Sequence, residues 1–112
     1  MASSRIFQLV VYFQGLIRDK TGAQVDFING PNRGRSFKAA QNLLVFTDGD
    51  LEKAQGLIDI WAEDAWEIEH NPDNLMRVYQ CANKLLVEWQ KRQIRQRTVR
   101  SDRTRDLSLY RL

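Results

Sequence analysis

The sequence predicts a single, mostly α-helical domain of about four helices that ends in an antiparallel helical hairpin, and three observations carry that prediction. Apolar residues recur at alternating steps of three and four from Leu51 to Ile68 and again from Leu75 to Trp89. Residue types that cap helices, Ser36, Asp50 and Asn71, stand at the heads of such stretches. A chain of 112 residues with 43% apolar side chains suffices for one core and falls short of two.

At the N-terminus, Ser3 or Ser4 can cap a helix whose apolar face is Ile6, Leu9, Val10, Phe13, Leu16 and Ile17, with Gly22 as its stop. Phe7, Leu9, Val11 and Phe13 also alternate, so the competing prediction is an α+β fold with an N-terminal β-hairpin at residues 6–28. In that version a strand from Ile6 to Gln14 would pair with Ala23–Ile28. Asn29 to Arg35 holds two glycines, a proline and two asparagines and reads as a loop.

Ser36 then heads a second helix through Phe46, closed by Asp48-Gly49-Asp50. Asp50 caps a third, in which Leu51, Ala54, Ile58, Trp61, Ala65 and Ile68 form one face and acidic residues the other. Asn71-Pro72 ends it and opens a fourth, with Leu75, Val78, Ala82, Leu85 and Trp89 on its stripe. Two long helices joined so tightly should fold back on one another. Beyond Trp89 the stripe meets Arg92 and Gln96, and fraying is expected between Thr98 and Arg103. The division is therefore a helical domain over 1–97 and a basic, partly flexible tail over 98–112.

Composition narrows the function classes. The apolar run of residues 6–17 is too short and too interrupted for a membrane span or a signal peptide. A lone thiol, Cys81, points to a reducing, cytoplasmic setting. Charge is distributed unevenly: residues 90–112 carry eight basic side chains against Asp102 and Asp106, whereas residues 1–89 carry nine against twelve acidic ones. A basic tail on an acidic body is the polarity of chains that meet a polyanion.

The segment Lys91–Arg100, with Lys91, Arg92, Arg95, Arg97 and Arg100, resembles in composition an arginine-rich nucleic-acid-binding helix, and Arg103 just beyond it is a further candidate contact. Guanidinium groups suit phosphate because they offer paired donors in one plane. Arg33, Arg35 and Lys38 form a second basic cluster where the loop enters the Ser36 helix. The acidic residues Glu52, Asp59, Glu63, Asp64, Glu67 and Glu69 are expected on a solvated face, where neither metal ligation nor acid–base chemistry is favoured.

His70 and Cys81 lie too far apart for a nucleophilic pair, and Cys81 reads as a small buried hydrophobe. Trp61 and Trp89 belong to the core stripes; Trp66 lies off the seam, either packed under the N-terminal segment or part of a protein-binding surface.

The functional expectation is a non-enzymatic nucleic-acid-binding protein, RNA ahead of DNA, without cofactor, metal or catalytic residues. The alternative is an oligomeric adaptor or assembly factor whose basic tail docks on an acidic protein partner. A symmetric homodimer is the simplest closed cover for any apolar flank left over by the wide stripes.

Overall fold

The computed structural model describes residues 2–31 and 33–110, with side chains for 5–31 and 33–96. The described residues form helices and connecting turns: α1 (Ala2–Thr21), α2 (Arg33–Phe46), α3 (Leu51–Ala62), α4 (Ala65–His70), α5 (Leu75–Gln80) and α6 (Ala82–Tyr110). No helix among them is long and apolar enough to cross a membrane.

α1 takes the helical form of the N-terminal segment, and the β-hairpin alternative is overturned. Leu9, Val10, Phe13 and Ile17 are fully buried, while Phe7 and Val11 stay 45% and 42% exposed. A strand would have put Phe7, Leu9, Val11 and Phe13 on one side. The helix closes on Gly22 at φ 74°, whose N–H bonds the Arg18 carbonyl at 2.8 Å. The segment expected to pair as a strand instead supplies a plug. Phe27 is fully buried 5.4 Å from the Phe13 ring centroid, and its N–H is satisfied by Gln14 Oε1 at 2.8 Å.

α2 begins at Arg33, inside the stretch expected to be irregular. N–H groups of a first turn have no intrahelical partner in any case, so Gly34 costs little there. Arg33 ties the entry down, donating to the Ile28 carbonyl at 2.8 Å and lying 4.9 Å over the Phe37 ring. Ser36 is consequently a buried helical residue and no cap. α2 ends in a tight turn with Asp48 and Gly49 both at positive φ, and the Gly49 carbonyl accepts from Arg5 at 2.9 Å.

The two long rods of the expected hairpin are each broken. The third helix stops at Ala62, and Asp64 caps a new one by accepting from the N–H groups of Trp66 and Glu67. Asn74, rather than Asn71, caps α5. Cys81 then interrupts the fourth helix, its N–H shared between the Arg77 and Val78 carbonyls. The broken halves pack on different partners: α5 lies against α2, and α6 against α3.

α6 is helical through the interval where fraying is expected, and at 29 residues it is about 43 Å long. Once a helix is nucleated on a packed body, each further residue adds one hydrogen bond for one residue fixed, and Arg and Leu favour that. Among the described side chains, Trp89 is the last of α6 that packs on the core.

Candidate nucleic-acid interface

Of the basic residues on α6, the structure commits Arg92 to the body of the protein. Its guanidinium makes two parallel hydrogen bonds to Glu63, both 2.7 Å, and a third through Nε to Glu88 at 3.1 Å. The contact holds the Glu63 carboxyl below the usual range and raises Arg92 further above its own. Arg95 approaches Glu88 at 3.7 Å and remains largely exposed. Lys91 is exposed and has no ion-pair partner among the described residues. The side chains of Arg97, Arg100 and Arg103 lie outside the described residues.

In the second cluster Arg33 is occupied by Phe37 and the Ile28 carbonyl, whereas Arg35 and Lys38 are exposed. No hydrogen bond, ion pair or ring contact joins this cluster to that on α6 among the described residues.

The acidic face is less uniform than expected. Glu67 is 5% exposed and sits at the centre of a polar network instead of in solvent. Arg77 binds it through Nε at 2.7 Å to one oxygen and Nη2 at 3.1 Å to the other, and Trp61 donates its indole N–H at 3.1 Å. Pairing with Arg77 lowers the Glu67 pKa against the opposing effect of burial. The restart of the helix at Asp64 changes its phase and turns Glu67 inward. Asp59 accepts a hydrogen bond from the Tyr12 hydroxyl, and burial together with that bond pushes the Tyr12 pKa up to about 12.

Trp66 is 55% exposed and stacks on His70, ring centroids 4.4 Å apart, so it does not pack under the N-terminal segment. Cys81 is half-buried at the α5–α6 junction rather than fully enclosed.

Two features escaped the sequence reading. Lys84 is exposed one heptad before Lys91, outside the stretch that composition singles out as basic. Beside it a groove of about 500 Å³ opens between the α3–α4 segment and α6, floored by Ile60, Leu85 and Val87. Trp61 also lines it but is only 2% exposed, its N–H turned to Glu67.

A scan against protein-family models, a search of curated proteins and a search of solved structures each return no match. Function is therefore read from the residues alone.

Proposed function

We propose that the protein is a non-enzymatic nucleic-acid-binding protein that holds RNA, in preference to DNA, along the arginine-bearing part of α6. The observation that supports this reading is the continuity of α6 past Trp89, the last of its described side chains on the core, through every arginine from Arg92 to Arg105. A helix leaving the body with Lys91, Arg95, Arg97, Arg100 and Arg103 offers cations to a backbone without spending core residues on them. Arg92 has a different part: it anchors the helix to α3. Arg35 and Lys38 are a secondary point of contact. The lone thiol accords with a cytoplasmic setting.

The test is a fluorescence-anisotropy titration of the full chain with a labelled single-stranded RNA and with duplex DNA over a range of salt. Five phosphate contacts on a single strand give a log–log slope of about −3.5. Absence of RNA and DNA binding at about 50 mM salt overturns the proposal.

A second reading, the oligomeric adaptor with an acidic protein partner, is favoured by one observation. The two arginines of this segment whose side chains are described, Arg92 and Arg95, both face carboxylates. Under it the chain forms a complex that survives salt and shows no nucleic-acid affinity.

A further inference from the structure

The groove between the α3–α4 segment and α6 carries a separate inference, which shares only Lys91 with the nucleic-acid reading. Its charge is decided by which lining groups already have partners. Glu67 is held by Arg77, Glu88 by Arg92 and Arg95, and the Asp64 carboxylate is engaged by the N–H groups that open α4. Lys84 and Lys91 also line the groove, are exposed and have no ion-pair partner among the described residues. Asp64 keeps its charge while it caps α4, so two unpaired ammonium groups stand against one carboxylate without an ion pair, and the unpaired charge of the groove is positive by one.

The floor between those ammonium groups is aliphatic. Ile60 is half-buried, Leu85 closes the bottom, and Val87 is 51% exposed between the two lysines on the same stripe of α6. Nucleobases would need an aromatic face for stacking, and Trp61, the one aromatic ring in the lining, is buried edge and face. Aliphatic side chains suit such a floor better. Lys84 and Lys91 stand two helical turns apart, about 10.5 Å along the axis. A second helix lying alongside presents its own residues seven apart at the same interval.

We propose that this groove docks an acidic amphipathic helix of a partner protein, one carrying two carboxylates seven residues apart with an apolar residue three positions after the first. The carboxylates meet Lys84 and Lys91, and the apolar side chain enters over Val87 against Ile60 and Leu85. α6 then has two functions on adjoining lengths, a docking face from Lys84 to Lys91 and a cationic length from Lys91 onward, with Lys91 common to both.

The test uses the full chain and three labelled synthetic helical peptides: one with the Glu-x-x-Leu-x-x-x-Glu pattern, one with both glutamates replaced by lysine, and one with leucine replaced by serine. The first peptide should bind best. The double variant Lys84→Glu, Lys91→Glu should weaken it by about tenfold or more and bind the lysine peptide better than the unaltered chain does. Val87→Ser should lower affinity for the leucine peptide with little effect on the serine one. Both lysines and Val87 are exposed, and unchanged circular dichroism confirms that the variants fold. Replacing Arg95, Arg97, Arg100 and Arg103 by alanine should leave peptide binding intact, which separates this result from the fate of the nucleic-acid reading. The proposal is overturned if the lysine peptide binds as well as the acidic one, if the charge-reversed chain keeps full affinity, or if leucine and serine peptides bind alike. It is also overturned if RNA binding is lost with the Lys84/Lys91 reversal while peptide binding is not.

Discussion

Arg92 and Glu63 stand 29 positions apart in the chain and meet through two parallel hydrogen bonds, Nη1 to Oε2 and Nη2 to Oε1. The pair joins the C-terminal end of α3 to α6 at the turn after Trp89. A guanidinium fork already filled by a carboxylate is a poor phosphate ligand, because a phosphate would have to displace Glu63 and Glu88 together.

Arg92→Ala should accordingly leave the salt slope of RNA binding near that of the unaltered chain. Arg95→Ala and Arg97→Ala should each flatten it by about 0.7 to one unit. Titrations at several salt concentrations check this; equal flattening by all three would return Arg92 to the interface. Both partners of the Arg92–Glu63 pair are well exposed, so its loss should lower thermal stability only slightly, and less still in high salt.

Glu67 should give acid sensitivity. Its folded pKa is depressed by Arg77, so its stabilising contribution is fully present above the unfolded carboxyl value of about 4.3 and is lost as pH falls through the lower folded value. Glu67→Ala leaves the Trp61 indole N–H and Arg77 without their acceptor and should cost about 1–3 kcal/mol at pH 7. Urea titrations at pH 7 and pH 3 should show the gap between the two proteins narrowing at the lower pH.

The helical glycines Gly15 and Gly56 should respond to alanine with opposite signs. A methyl group at Gly15 in α1 meets nothing within 4 Å, so Gly15→Ala should stabilise by about 0.5–1 kcal/mol. At Gly56 the added carbon would stand 2.8 Å from Trp89 Nε1, forcing the indole off α3, and Gly56→Ala should cost about 1–3 kcal/mol. Denaturant midpoints decide both; a stabilising Gly56→Ala would mean that Trp89 moves freely.

Tyr12 should show itself at high pH. Its folded pKa lies above the unfolded value of about 10, so the contribution of the neutral phenol is complete below pH 10 and declines as pH rises toward 12. Tyr12→Phe should lose that step in an unfolding series run from pH 9 to pH 12.

The legible parts of this fold are those in which a helix meets the core with a local repeat. Leu9, Val10, Phe13 and Ile17 mark α1 in the sequence because their spacing is that of one helical face. The breaks at Asp64 and Cys81 leave the three-four rhythm undisturbed on both sides, and a capping aspartate looks the same in sequence as a solvated one. That is why Glu67 reads as outward and is found inside. The basic segment is visible in composition, whereas the capture of Arg92 by Glu63 depends on how α3 lies against α6, which no local pattern encodes. Lys84 escapes for a simpler reason, since it sits alone among Asn83, Leu85 and Leu86 and joins Lys91 only on the helical wheel.

The body and the basic extension share a single shaft. α6 is seated by Leu85 and Trp89, so the directions in which Arg92 and Arg95 leave it are set by the rotational phase of the core. A residue inserted after Gln90 would keep the Leu85 and Trp89 contacts yet turn Arg92 and Arg95 by about 100° around the axis, carrying Arg92 away from Glu63. At its root the shaft thus behaves less as a tether than as a key cut to one orientation.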